Sequence, residues 1–304
     1  MWTKQNISDL TGKIIIVTGG NSGLGFESVK AFADKGAEVI LTARTIEKGK
    51  TAREEIMKED IKGKIRVLEL DLSDLSSINT FAERIRNEYD KLDVLLNNAG
   101  IMMTPYHKTK DGFEGQMGTN HLGHFALTGL LIDLIIKTEG SRVVNVSSNA
   151  HKYGKMNFDN LLFDEGKNYS PINAYARSKL SNLLFTYELQ RQFEKHGIRS
   201  LSVAAHPGTS RTNLARHLEG KFIFKLLTPF LLIMSQNSEM GALPQIRASV
   251  DPEVKGGDYY GPSGFREAKG YPVKVKSNEA SYNEEDAKKL WDHSEELTGV
   301  RFKL

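Results

Sequence analysis

The stretch KIIIVTGGNSGLG, residues 13–25, sets an unbroken apolar run directly against a cluster of glycines. Ile14, Ile15, Ile16 and Val17 show no polar alternation, the pattern of a strand buried on both faces of a sheet. Beyond it, Phe26, Val29, Phe32 and Ala33 fall on one side of a helix that Gly36 closes. Gly19, Gly23 and Gly25 stand between the two, spaced G-x-x-x-G-x-G. Glycine lets the backbone turn sharply and lets a pyrophosphate rest on the amides of a helix N-terminus, where the helix dipole favours negative charge. A plain flexible turn is the alternative. The strand–turn–helix context favours a dinucleotide cradle built from Thr18, Gly19, Asn21, Ser22, Gly23, Leu24 and Gly25.

The same alternation continues outward. Apolar runs at 38–44, 64–72, 92–100, 142–148 and 198–208 read as further strands. Between them, 45–60, 73–90, 119–136 and 172–193 read as helices, with Ser73 and Asp74 as cap candidates for the second. Strands separated by helices of this length pair in parallel, with crossovers on both faces. The expected fold is therefore α/β, a doubly wound parallel sheet. Its ligands bind beyond the C-terminal strand ends. After Gly208 the pattern loosens: 214–247 reads as one or two apolar helices, 256–275 as a turn-rich loop and 283–300 as a terminal helix. With no linker in view, residues 1–304 form one domain, a core over 10–212 and a substrate-lid extension over 213–304.

The chain of 304 residues carries 41 Lys and Arg against 38 Asp and Glu, a net charge of +3, which gives no support to nucleic-acid binding. It has no cysteine, so disulfides and thiolate chemistry are excluded. Met1 to Asp9 is polar, without the apolar core of a signal peptide. The most apolar window, 222–234, is too short to span a bilayer and is broken by Lys225 and Pro229. A cytoplasmic protein without an integral membrane segment is expected.

The second strand ends Thr42-Ala43-Arg44, without the carboxylate that would hold a free ribose 2′-hydroxyl. Arg44 can instead pair with a 2′-phosphate, which points to NADP; a solvated loop arginine is the other reading. Asp71, ending the third strand, is either an acceptor for the adenine amino group or a helix cap. Tyr175 and Lys179 lie at i and i+4, on one helix face. A phenol titrates near pH ~10 and serves poorly in proton exchange near neutrality unless a neighbouring ammonium lowers that value. Ser148 closes a strand shortly before and can hold a substrate oxygen, with Ser147 the competing choice. Asn120 is an amide in an apolar helix and can fix a water that relays protons to Lys179.

Taken in order, T-G-x-x-x-G-x-G at 18–25, N-N-A-G at 97–100, Asn120, Ser148, Tyr175/Lys179 and Pro207-Gly208 resemble the short-chain dehydrogenase/reductases over roughly residues 10–215. The stretches TNHLGHFALT, HPGTSRTNL and the tail are similar to the retinol-dehydrogenase-like branch, which includes the WW-domain oxidoreductases. The resemblance implies a Rossmann-type sheet and a tetrad of Asn120, Ser148, Tyr175 and Lys179. It implies cofactor contacts from Tyr175, Lys179, Asp71, Leu72, Asn98, Ala99, Gly100, Pro207, Gly208 and Thr209. The 149–174 stretch is longer than in the family's shortest members and covers the site.

The expected activity is hydride transfer between NADP(H) and a lipophilic carbonyl or alcohol, of aldehyde, retinoid or steroid type, acting on CH–OH donors. A non-catalytic NADP(H)-binding redox sensor is the alternative. The apolar residues Leu214 and 222–234 are read as a lid, an oligomer contact or a helix lying on a membrane. Oligomeric state stays open between monomer and homo-oligomer. His121, His124, His151 and His206 lack a carboxylate cluster, and no metal is expected. His121 and His124 read as packing residues, while His151 and Tyr153 are either pocket or loop residues.

Overall fold

Ile15 and Val17 point to one side of the sheet and Ile16 to the other, so the first strand is buried on both faces. In the computed structural model the described residues are 1–209 and 236–304; the 222–234 run, Leu214 and the 212/213 boundary lie outside them. The strands are β1 (Ile14–Val17), β2 (Glu38–Ala43), β3 (Lys64–Glu69), β4 (Val94–Asn97), β5 (Arg142–Val146), β6 (Leu201–Ala205), β7 (Tyr259–Pro262) and β8 (Pro272–Lys274). They form one sheet in the order β3-β2-β1-β4-β5-β6-β7-β8. All neighbours are parallel except β7 and β8, which run antiparallel.

Helices α1 (Gly23–Asp34), α2 (Ile46–Ile56) and α8 (Ser238–Val250) cover one face. Helices α3 (Leu75–Glu88), α5 (Gly123–Leu130), α6 (Ile132–Lys137) and α7 (Pro171–Lys195) cover the other. Gly36 ends α1 with φ +94, and Asp74 caps α3 by accepting from the amides of Ser76 and Ser77.

Two expectations need correction. The 256–275 stretch is not only loop: it supplies β7 and β8, with Ala204 opposite Tyr259 and Tyr260 opposite Lys274. Four- and three-residue strands interrupted by glycine and proline carry too little periodicity to be read locally. The single helix over 119–136 is instead a succession. After α4 (Gly115–Met117) comes a π turn, Gly118–Leu122, then α5, a break at Leu131 and α6. Hydrophobic period cannot show an i+5 turn, because its apolar side stays apolar.

The last helix, α9 (Glu284–Thr298), and the tail beyond it lie on α7 and α5. Phe125 is their meeting point: its ring centroid is 5.3 Å from Phe185, 5.3 Å from Trp291 and 4.9 Å from Phe302. Phe125→Ala is expected to cost about 3–5 kcal/mol of unfolding free energy, as large core truncations do. Urea denaturation checks this, and a loss below about 1 kcal/mol would show that the cluster is not part of the cooperative core.

Candidate active site

β1 and β4 are neighbours although β2 and β3 follow β1 in the chain, so the crossovers leave this pair in opposite directions. Such a switch point opens a crevice at the C-terminal strand ends. Thr18 closes β1 there, fully buried, and its hydroxyl accepts the amides of Asn98 at 2.8 Å and Ala99 at 2.9 Å. Asn98 returns the link, its side-chain amide donating to Thr18 O at 2.7 Å. The loops after β1 and β4 are thereby fixed against each other.

The glycines have separate reasons. Gly19 and Gly23 take φ +65 and +55, values that strain any residue with a Cβ. A Cβ on Gly25 would lie 2.3 Å from Gly19 O and 2.6 Å from Asn98 Nδ2, so Gly25 is there for close packing. Helix α1 starts at Gly23 without a side-chain cap from Ser22, leaving its first amides to face the crevice. Asn21 and Ser22 are partly or fully exposed at its mouth, and Leu24 is buried beneath. Arg44 is exposed at the end of β2, with no ion-pair partner among the described residues.

Asp71 spends one carboxylate oxygen on the Ser73 amide at 2.9 Å and the Ser73 hydroxyl at 2.6 Å. It thus makes a local turn, and Asp74, not Asp71, caps the helix. Leu72 packs into the core with its carbonyl against Gly123. The Asn98 side chain is held by Thr18 O and by Gln245.

On α7, Tyr175 and Lys179 are 7% and 4% exposed, with the Lys179 ammonium 5.7 Å from the Tyr175 ring centroid. Lys179 Nζ donates to Val146 O at 3.0 Å. Asn120 Oδ1 and Lys179 Nζ meet at the bare Cα of Gly100: a Cβ there would lie 3.0 and 3.5 Å from them. The two serines separate cleanly. Ser147 is buried with its hydroxyl on Lys179 O at 2.8 Å, whereas Ser148 is part-exposed beside the Tyr175 phenol.

Two expectations for these groups change. Burial raises the Tyr175 phenol above its ordinary value, and Ser148 is the group that draws it back. Lys179 lies over the ring rather than at the hydroxyl, and burial lowers the ammonium itself to about 8. The Asn120 side chain is not free to hold a relay water by its amide: Oδ1 accepts from Ile101 N at 2.8 Å, and Nδ2 donates to Ile101 O and to Ser178 Oγ, both at 2.9 Å.

Pro207, Gly208 and Thr209 follow β6. Gly208 takes φ +64 under the Ala268 carbonyl, and Thr209 N donates to Ala268 O at 2.8 Å. A phenol, a hydroxyl and an ammonium thus converge at the C-terminal strand ends, where α1 also starts without a side-chain cap. Such a set can hold an oxygen, exchange its proton and bind a phosphorylated ligand alongside.

The family described as short chain dehydrogenase matches residues 13–161. Human retinol dehydrogenase 11 is 40% identical over 294 residues, covering 96% of this chain and 87% of that protein. Human retinol dehydrogenase 12 is 38% identical over 294 residues, with 96% and 88% covered. An uncharacterized protein from Mycobacterium paratuberculosis, solved as a crystal structure, superposes with TM-score 0.83 at 38% identity over 100% of this chain and 99% of that one. The chain belongs to the short-chain dehydrogenase family. Within it, the relatives place the chain in the retinol-dehydrogenase-like branch.

Several residues of this short-chain dehydrogenase that shape the site escaped sequence reasoning. Arg177 sits two residues past Tyr175 and clamps the 149–174 insert: it donates to Lys155 O, Asn160 O and Leu161 O and stacks 4.0 Å over Phe163. Gln116 holds Met103 N at 2.7 Å and donates to Tyr169 OH, which itself donates to Thr104 O. Gln245, from α8, donates to Ser28 Oγ and Asn98 Oδ1, both at 2.9 Å. A buried glutamine in an otherwise apolar stretch was the one available signal. His151 lies under the site, its Nδ1 on Ser148 O and its Nε2 accepting from Asn278 N, while Tyr153 is 78% exposed. His121 faces Ser294, and His206 faces Glu267, so the histidines serve different neighbours.

The Lys179 shift fixes the sign of a pH effect. Below about 8 both folded and unfolded chains hold the proton, and the burial cost is full. Between about 8 and the ordinary 10.5 only the unfolded chain still holds it, so stability rises with pH. The unfolding free energy of the wild type relative to Lys179→Met is therefore expected to grow from pH 7 to pH 10. The raised Tyr175 phenol acts equally in both proteins and cancels. A difference that is flat across this range would refute a depressed Lys179.

Proposed function

We propose that this oxidoreductase moves a hydride between NADP(H) and a lipophilic carbonyl or alcohol. The observation that carries the reading is the convergence of Tyr175, Ser148 and Lys179 at the C-terminal strand ends, where α1 also starts without a side-chain cap. The residues fit a dinucleotide: the first-turn amides suit a pyrophosphate, and Arg44, unpaired among the described residues, suits a 2′-phosphate. Bound there, the nicotinamide supplies the hydride chemistry.

The chain's own groups do the rest. Ser148 holds the substrate oxygen beside the phenol. Tyr175, kept protonated by burial, donates its proton to that oxygen during reduction and takes it back during oxidation. Lys179 places a positive charge under the ring and holds Val146 O, which fixes the height of α7 against β5. Asn120 pins Ile101, and with it the loop over the site, to α7 through Ser178. Asp71 and Leu72 after β3, Ala99 and Gly100 after β4, and Pro207, Gly208 and Thr209 after β6 stand at the same C-terminal strand ends.

The lipophilic substrate rests on the branch. The matched relatives are named retinol dehydrogenases, and Met103 and the exposed Ile172 flank the hydrogen bond between Gln116 and Tyr169.

Tyr175→Phe is expected to lower kcat/KM by about 10²-fold or more while NADPH binding stays within a few-fold. Steady-state rates on a panel of medium- and long-chain aldehydes and retinal, with cofactor fluorescence titration, read both. A Tyr175→Phe protein that binds NADPH and turns over normally sinks the assignment. Arg44→Ala is expected to weaken NADPH about 10–100-fold and NADH hardly at all, the loss of one charge-assisted phosphate contact. Equal effects on both cofactors would remove Arg44 from the 2′-phosphate.

A further inference from the structure

We propose that His124 is a positioning residue, which joins the two cofactor-side loops to the helix turn carrying Asn120 through one fixed ring tautomer. This rests on the functional reading above and extends it to a residue that makes no contact with the reacting groups.

His124 stands in the first turn of α5, directly after the π turn, and is 2% exposed. Its Nδ1 lies 3.0 Å from Asn120 O, and its Nε2 lies 2.9 Å from Thr18 Oγ1. A carbonyl oxygen only accepts, so Nδ1 carries the proton. Burial holds the ring neutral near pH 7, its pKa pulled down to about 4, with the Lys179 charge adding to the effect. Nε2 is therefore bare and needs a donor.

Among the described residues Thr18 is the one group that can serve, and its own valences leave one arrangement. Its oxygen already receives the Asn98 and Ala99 amides at 2.8 and 2.9 Å, which fills both lone pairs. Its single proton has two acceptors within reach, Leu96 O at 3.3 Å and His124 Nε2 at 2.9 Å. Leu96 O already receives Thr18 N at 3.0 Å, whereas Nε2 has no other partner among the described residues. The proton goes to Nε2.

The result is one continuous path. It runs from the amides after β4 through Thr18 at the end of β1, across the His124 ring, to the backbone of Asn120. The Asn120 amide carries it on to Ser178, whose hydroxyl donates to Tyr175 O at 2.8 Å. Each member is buried or part-buried and satisfied, so shifting one displaces the next. The π turn supplies the offset: Gly123 N bonds Gly118 O, one residue beyond the α-helical partner, and this sets the angle of Asn120.

The two bonds can be cut separately. His124→Asn keeps a donor near the Nδ1 position and removes the acceptor for Thr18. His124→Gln keeps an acceptor near the Nε2 position and gives up the bond to Asn120 O. His124→Asn is expected to weaken NADPH about 10-fold with kcat within about 3-fold. His124→Gln is expected to lower kcat about 10-fold at saturating NADPH, with the NADPH Kd within about 3-fold. Both are read with a lipophilic aldehyde and by NADPH fluorescence titration.

A histidine that only fills space gives the opposite result: both variants lower Tm, while Kd and kcat move together or stay put, and this overturns the proposal. Should either variant not fold, histidine-selective 15N NMR of the wild-type protein decides. A protonated Nδ1 and a bare Nε2 at pH 7 are required, and the reverse tautomer or a charged ring refutes the path. If the wild type binds NADPH but reduces nothing, the functional reading fails; the affinity and tautomer measurements still judge His124.

Discussion

The hydrogen-bonded pair of β1 and β4 is the constraint from which the site follows. Two parallel strands whose connections leave in opposite directions cannot be roofed by one crossover, so a crevice stays open at their C-terminal ends. Thr18 then turns an opening into a defined shape. One buried hydroxyl receives the Asn98 and Ala99 amides, and it ties the glycine loop to the loop after β4. The strain at Gly19 and the tight approach of Gly25 are tolerable because this pairing holds the surrounding backbone still.

Burial governs the titratable groups of the site. Tyr175 and Lys179 are enclosed together, which pushes the phenol up and the ammonium down to about 8, so burial drives both groups toward their neutral forms. Ser148 adds the hydroxyl that faces outward because Ser147 has already turned inward to Lys179 O.

The outer parts of the chain serve the same centre from a distance. The insert over 149–174 is closed by Arg177, a guanidinium that gives its protons to three backbone carbonyls and its face to Phe163. The C-terminal part completes the sheet with β7 and β8, lays α8 on α1 and sends Gln245 to Asn98. It is thus built into the crevice side of the molecule.

The order of strands and helices, the glycine turn and the Tyr175–Lys179 spacing were all legible in the sequence. Each is written in local periodicity or in residues a few positions apart, and local backbone geometry obeys such patterns. Tertiary structure alone decided between Ser147 and Ser148, because that choice depends on which hydroxyl finds Lys179 O. It alone gave the direction of the Tyr175 shift, since burial outweighs a charge that reaches the ring face and not the oxygen. The short β7 and β8, the π turn before Asn120 and the joining of Thr18 to His124 were likewise hidden. Their partners lie tens to more than a hundred residues apart or break the helical period, and a hydrogen bond between distant buried groups leaves no spacing in the chain to be read.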